Sequence, residues 1–513
     1  MNINNFLTID FSHVELALIG SIFLPVLCAV FIALFRRFNF ANEFFCVLFS
    51  SSLFLVNIFL ASLFLSNSKN NFTVLEIFPN IELKFHLEPL GIIFSLLASL
   101  LWFVNTLYSI GYLRGNSEQN QTRFYSYVSL SISAVMGISF AGNLFTFFLF
   151  YELLTLLTYP LVTHSGTKNA KNGGRVYLGI LLGTSICFLL FGIGATYSLA
   201  GTLDFEFGGI LPKTLSSSEV LFLLLIFAFG IGKAALFPFH GWLPAAMVAP
   251  TPVSALLHAV AVVKAGVFGI IKVLVYILGI EYISDTTSTD VLTFFAGFTI
   301  IYASIKALRS SNLKERLAYS TVSQLSYIVM AASLATPLAI TAAVIHLISH
   351  AFGKITLFFA AGSLYTALHK TEIAELRGVG YQMPITMICF TIGALSMIGL
   401  PPTIGVLSKW FIVSGAVQLD DYFVLVILLF STLLNAAYFL PIIYDAFFKK
   451  PVGYDVSPQH NETTQFYHYR YFANAEAPIF ILLSILSTSV GIIALVFFGD
   501  FSNYLLQYFS GEM

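Results

Sequence analysis

Charge is scarce in this 513-residue chain: Asp, Glu, Lys and Arg make up 10% of it, where a soluble globular protein carries about a quarter. That shortage excludes a water-soluble enzyme, a nucleic-acid binder and a disordered protein. The 24 basic and 25 acidic residues leave a formal net charge of −1, which argues against a polybasic partner. Cysteine is equally sparse. Cys28, Cys46, Cys187 and Cys389 all lie in apolar runs without CxxC spacing, so no disulfide framework, zinc site or iron–sulfur site is expected, and each reads as a small packed hydrophobe. A basic n-region is missing too: the first apolar run follows a polar start bearing Asp10 and Glu15, so no cleavable signal peptide is expected. What the chain has in abundance is apolar bulk: 58% hydrophobic residues, including 54 Phe, and a mean hydropathy of +0.88. This is the composition of a polytopic membrane protein.

A span needs about 20 apolar residues, and about fourteen such segments follow one another with short polar loops between them. They lie near 14–35, 44–66, 89–112, 124–141, 143–163, 174–200, 218–247, 252–279, 288–308, 316–334, 337–366, 381–417, 421–446 and 475–499. Residues 72–87 are too polar to span, and their alternation around Pro79 and Asn80 predicts a hairpin outside the membrane. Residues 450–474 form the one sizeable polar linker, and no separate soluble domain is expected.

Lys and Arg are retained on the cytoplasmic side of a membrane. One set of alternate loops holds sixteen basic residues, from Arg36 and Arg37 through Arg123, Lys168, Lys314 and Lys370 to Lys450 and Arg470, against Lys69, Lys84 and Lys213 in the other set. The asymmetry predicts termini on the extracytoplasmic side.

Away from the span ends, five basic residues fall inside spans, Lys233, Lys264, Lys272, Lys354 and Lys409, with one acid, Glu152. Each costs on the order of 3 kcal/mol at the bilayer centre, so the set needs partners, water or a function. His240, His258, His346 and His350 share these regions and exchange protons near neutral pH. Burial favours a neutral amine and a nearby carboxylate favours the ammonium. Proton transfer along hydrated side chains is the simplest chemistry that uses such a set without metal or nucleophile.

Two spans carry breaks. Pro238 and Pro244 interrupt the seventh beside Lys233, and Pro401 and Pro402 interrupt the twelfth beside Lys409, since proline removes a backbone donor and clashes with the preceding turn. Broken helices at matching positions of two halves point to an inverted-repeat transporter with its pathway near mid-membrane. On the eleventh span His346, His350 and Lys354 recur every fourth residue and share one face, a candidate relay. On the eighth, His258 and Lys264 stand about 120° apart on an ideal helix, which leaves the central donor open between them. Lys272, near that span's end, reads as a snorkelling residue. His164 and Lys168 read as solvated residues at the cytoplasmic edge.

The run FPFHGWLPAAMVAPTPVSALLHAVAVVKAG, ending at Gly266, and the run NLKERLAYSTVSQLSY, ending at Tyr327, resemble the proton-translocating subunit family shared by respiratory complex I and Mrp-type cation/proton antiporters. The resemblance covers roughly 90–445. It implies an all-α polytopic fold of about 14 helices, with spans 4–8 and 9–13 as inverted five-helix repeats and helices 7 and 12 broken. It divides the chain into N-terminal helices with a hairpin (1–113), a first repeat (114–280), a second repeat (281–447), and a linker with a C-terminal helix (448–513). The family's fifth-helix acid matches Glu152 in LFYELLTLLTYPL, its seventh-helix lysine Lys233, its eleventh-helix set His346, His350 and Lys354, and its twelfth-helix lysine Lys409. At the eighth helix some members use the position of His258 and others that of Lys264. Lysine rather than glutamate at 409 makes the pattern most like the D-type branch of the Mrp antiporters.

The resemblance implies a bacterial inner-membrane, proton-conducting subunit that works with other membrane subunits, on protons and with sodium left open. No nucleic-acid partner is expected. No cofactor, metal site or catalytic chemistry is expected in the chain itself; redox activity of an NADH:quinone oxidoreductase-like assembly would belong to partners. Two other readings stay open at this point: a subunit energising an inorganic-carbon uptake or membrane hydrogenase complex, and a non-pumping scaffold whose charges pair to hold helices.

Overall fold

The computed structural model describes residues 12–66, 71–78, 81–284, 287–450, 475–497 and 499–512. Asp10, Lys69, Pro79, Asn80, Arg470 and nearly all of the expected linker lie outside these residues. The apolar runs form helices α1 (His13–Leu34), α2 (Asn39–Leu65), α3 (Pro89–Gly115), α4 (Gln121–Ser139), α5 (Leu144–Val162) and α6 (Lys168–Ala200). They continue as α7 (Ser217–Gly230), α8 (Thr251–Leu278), α9 (Ser288–Arg309), α10 (Leu313–Ser333) and α11 (Pro337–Leu368). The last are α12 (Pro384–Ile398), α13 (Ile404–Gln418), α14 (Tyr422–Phe448), α15 (Ile479–Ala494) and the short α16 (Gly499–Phe509).

Among the described residues, ten helices are long and apolar enough to cross a membrane, and α7, α12 and α13 are shorter apolar helices. The fold is all-α apart from one antiparallel hairpin, β1 (Asn71–Phe78) with β2 (Ile81–His86), where polar alternation predicts it. α4 and α10 carry more hydroxyls than their neighbours. Some of those hydroxyls bond within their own helix, as where Ser129 donates to Tyr125 O at 2.9 Å and Ser326 to Val322 O at 3.1 Å, and others bond a neighbouring helix, as where Ser133 donates to Ile22 O at 2.7 Å, so a polar helix can still lie inside the bundle.

Depth in the bundle follows function-bearing composition. The most apolar stretch of α8 is wholly buried in protein and that of α11 is 89% buried, against 28% for α2 and 33% for α14. α2 and α14 turn Phe and Leu side chains outward, including Leu55, Leu429 and Leu433, the surface a lipid-facing helix offers. α8 and α11, whose lysines and histidines are all buried, occupy the centre.

Both predicted breaks are present. α7 stops at Gly230 and gives way to a 3-10 turn (Gly232–Ala234), a left-handed Ala235, the cis Phe237–Pro238 bond and a four-residue helix (Trp242–Ala245) that contains Pro244. α12 stops at Ile398 with Gly399 left-handed, and α13 resumes at Ile404 after Pro401 and Pro402. The second break makes two 15-residue halves; the first leaves one long half and a chain of short turns.

Candidate functional site

Lys233 lies in the first break, fully buried. Its backbone N–H donates to the Tyr151 hydroxyl at 3.1 Å, and its Nζ donates to Tyr151 O at 2.8 Å and Thr155 Oγ1 at 2.6 Å while standing over the Tyr151 ring. Gly266 of α8 makes the approach possible: a Cβ there would sit 2.3 Å from the Lys233 carbonyl carbon. Trp242 Nε1 donates to Gly232 O at 3.0 Å and closes the turn. Glu152 follows Tyr151 on α5 and lies within electrostatic reach of Lys233. The two make no direct ion pair, however, and neither carboxylate oxygen of Glu152 accepts a hydrogen bond from a protein group although both are shielded. Lys233 is held by Tyr151 and Thr155, and the expected carboxylate makes no direct contact with it.

The stripe on α11 is buried throughout, and each member reaches a different helix. His350 Nδ1 meets Lys264 Nζ of α8 at 2.6 Å, and that ammonium also donates to Leu347 O at 2.9 Å. His346 Nδ1 meets Ser408 Oγ of α13 at 3.0 Å and its ring stacks on Tyr327 of α10. Lys354 Nζ donates to Ser320 Oγ of α10 at 2.6 Å; that hydroxyl meets Tyr438 OH of α14 at 2.9 Å, which in turn bonds Asn435. The three side chains of α11 thus tie α8, α10 and α13 into one polar network.

Lys409 follows Ser408 and is 9% exposed, on a helix whose next residue, Trp410, faces outward. Its Nζ turns in, donates to Ile398 O at 2.8 Å and Thr432 Oγ1 at 3.2 Å, and lies 5.0 Å from the centre of the Tyr327 ring. Ile398 is the last residue of α12, so the lysine satisfies a carbonyl that the break leaves free. Gly399, at φ +88°, leaves the space: a Cβ there would meet Lys409 Cδ at 2.6 Å.

His258 and Lys264 both lie against α11, contrary to the separation an ideal helix predicts. A π-turn over Leu256–Val260, followed by distorted backbone at Ala261, shifts the helical phase between them. They meet α11 at different heights, Lys264 at His350 and His258 at Phe358, 4.7 Å between ring centres. Neither ring nitrogen of His258 has a hydrogen-bond partner, so Lys264 makes the direct bridge. His240 packs its ring between Phe237 and Tyr302 and joins none of these contacts.

Two expectations are corrected. Lys272 does not snorkel: it is 1% exposed and pairs at 2.9 Å with Glu88, itself 3% exposed, because the loop after α4 and the segment after α6 cover the end of α8. His164 is buried rather than solvated. Arg123 donates to its carbonyl at 2.7 Å, and burial together with that guanidinium holds the imidazole below its usual pKa.

Sequence reading missed Ser320, Tyr327, Ser408, Tyr438 and Glu88. A signal existed for some of them, since Ser320, Gln324 and Tyr327 form a polar stripe at helical spacing on α10. At the end of the bundle that carries the basic loops, a cavity of about 320 Å³ opens among Glu118, Thr251, Asn312, Lys314, Tyr365 and Lys370. Among the described residues no group of three or more His, Cys, Asp or Glu is placed to hold a metal ion.

Residues 141–435 match the family described as NADH:quinone oxidoreductase/Mrp antiporter, transmembrane. The NADH-quinone oxidoreductase subunit N of Desulforudis audaxviator is 32% identical over 422 residues, 81% of this chain and 82% of that protein. The NAD(P)H-quinone oxidoreductase chain 5 of Synechocystis sp. is 34% identical over 358 residues, 65% of this chain and 51% of that one, so the chain spans about half the length of this relative. The fold is similar to that of a chain in the membrane-bound sulfane sulfur reductase, an archaeal respiratory membrane complex, with a TM-score of 0.81 at 23% identity over 96% of this chain and 97% of that one. It is also similar to a chain of the Mrp complex from Dietzia sp., with a TM-score of 0.75 at 21% identity over 95% of this chain and 97% of that one.

Proposed function

The chain belongs to the proton-antiporter membrane-subunit family of NADH:quinone oxidoreductases and Mrp antiporters, and on that footing we propose that it conducts protons through the buried network of α5, α8, α11 and α13. Glu152 biases Lys233 electrostatically, Lys264 passes the proton to α11 through His350, His346 and Lys354 distribute it, and Lys409 closes the second half. The single observation that carries this reading is the 2.6 Å contact between Lys264 and His350, where a lysine from residues 114–280 touches a histidine from residues 281–447 directly.

The charge inventory supports conduction over scaffolding. Four buried lysines, Lys233, Lys264, Lys354 and Lys409, bond only neutral groups. Charges retained merely to hold helices would be expected as ion pairs, since an uncompensated buried charge is costly. Neutral hydroxyls, carbonyls and imidazoles instead suit groups that gain and lose a proton, over contacts of about 3 Å or through water.

In this reading residues 114–280 and 281–447 are the two inverted repeats of a fourteen-span protein, between an N-terminal unit (1–113) and a C-terminal one (448–513). The basic loops lie in the cytoplasm, the cavity beside Lys314 and Lys370 is the cytoplasmic inlet, and the termini lie outside a bacterial inner membrane. The chain works beside other membrane subunits, in an Mrp-type antiporter or a complex I-like assembly. The test is Lys233→Ala in everted vesicles carrying the assembled complex: proton-coupled pH change is lost while membrane abundance stays near that of the parent. Equal transport in mutant and parent overturns the reading, and loss of assembly with unchanged transport per complex favours the scaffold.

A further inference from the structure

The proposed path leaves one buried ion pair without a role, that of Glu88 and Lys272. It lies at the end of the bundle opposite the basic loops, between the start of α3 and the last turns of α8, with side chains 3% and 1% exposed and a 2.9 Å contact. Lys272 also donates to Ala141 O. Ala141 opens a loop that is held from the other side: Gly142 N–H donates to Lys84 O at 2.8 Å, and Gly142 O accepts from Phe205 N–H at 3.0 Å. Lys84 and Asp204, brought together by these two contacts, form a second ion pair whose side chains are 16% and 33% exposed. The four-residue loop between α4 and α5 therefore separates a sealed ion pair from one open to the aqueous face. A residue on the same helix as Lys264, eight positions on, lies about 12 Å further along the axis, in the direction of that face.

We propose that Glu88 and Lys272 form the proton-exchange station at this end of the path, with Lys84 and Asp204 as its aqueous side. The inference rests on the conduction reading above. In the step, an N–H bond of the Lys272 ammonium breaks and an O–H bond forms on Glu88, so the ion pair becomes a neutral amine and acid and no net charge is left buried. Glu88 then yields the proton toward the Asp204 carboxylate through water, and Lys272 is reprotonated from the side of Lys264. Tyr276, one turn beyond Lys272, meets Tyr508 of α16 at 3.1 Å, so the C-terminal helix covers the station.

The experiment compares the parent, Glu88→Gln with Lys272→Met as a double variant, Glu88→Asp, and Lys233→Ala, as assembled complexes in everted vesicles. Initial pH-change rates are normalised to assembled complex, and thermal stability is measured in parallel. Neutral replacement of both members of a buried pair is often tolerated by the fold. The expected result is a double variant with near-parental stability and at least tenfold slower transport per complex. Parental transport in the double variant, with Lys233→Ala inactive, overturns the station and leaves the conduction reading standing. Parental transport in Lys233→Ala overturns the conduction reading itself. If the double variant does not accumulate, Glu88→Asp decides. Shortened by one methylene, it keeps the charge but not the direct contact, and at least threefold slower transport per complex supports the station, whereas an unchanged rate overturns it.

Discussion

Lys264→Met is the sharpest probe of the bridge between α8 and α11. Methionine keeps the length and apolar stem of lysine but removes the ammonium that donates to Leu347 O at 2.9 Å and meets His350 Nδ1 at 2.6 Å. A hydrogen bond to a charged group is worth about 1.5–3 kcal/mol net. If that contact carries the proton across, its loss raises the barrier by about the same amount, which corresponds to about ten- to a hundredfold in rate. Stability should change less, because Leu347 O keeps its helical bond within α11, and the unmet His350 nitrogen, at about 1–3 kcal/mol, is offset by relief from burying an ammonium. The assay is the initial rate of dye-detected acidification in everted vesicles, divided by the amount of assembled complex. His258→Ala is the companion measurement. With neither ring nitrogen bonded, its removal should slow transport by less than about threefold, a barrier change under about 0.7 kcal/mol. A Lys264→Met rate within twofold of the parent, or a His258→Ala variant slower than Lys264→Met, would refute the assignment of the bridge to Lys264.

Further outcomes follow from the same contacts. Glu152→Gln, which removes the carboxylate acting on Lys233 without disturbing a direct bond, should slow transport at least tenfold at normal abundance, while Glu152→Asp retains part of the rate; equal rates for Gln and parent would separate Glu152 from the switch. Ser408→Ala breaks the 3.0 Å link to His346 and should slow vesicle acidification several-fold with no change in assembly, whereas Lys409→Ala should be nearly inactive and Lys409→Glu slow but measurable. Gly266→Ala forces a Cβ to 2.3 Å from backbone atoms of Lys233 and Ala234. It should cost about 1–3 kcal/mol by overpacking, read as a lower thermal midpoint and reduced abundance on an immunoblot.

The spans were legible because a bilayer imposes a length: about 20 apolar residues can be counted in one dimension, and the basic loops alternate with them. The breaks were legible because Pro238, Pro401 and Pro402 cannot continue a helix wherever they sit. The face shared by His346, His350 and Lys354 follows from helical spacing alone. These are local properties, fixed by residues within a few turns of one another, and so they survive without any knowledge of neighbours.

What each ionisable group touches is a different kind of fact. Lys264 and His350 are 86 residues apart, His346 and Ser408 62, and Lys233 and Thr155 78, and no periodicity within a single helix specifies which face of another it meets. The π-turn at Leu256–Val260 rotated Lys264 onto α11, where an ideal helix sends it elsewhere. Glu88 stands at the N-cap of α3, and no local pattern names its partner. The loop at Ala141 and the end of α8 close over it and leave Lys272 as its counter-charge. Sequence determined which ionisable groups lie in apolar runs and on which helices; packing between helices decided which of them exchange a hydrogen bond, because only tertiary contacts set distance and exclude water.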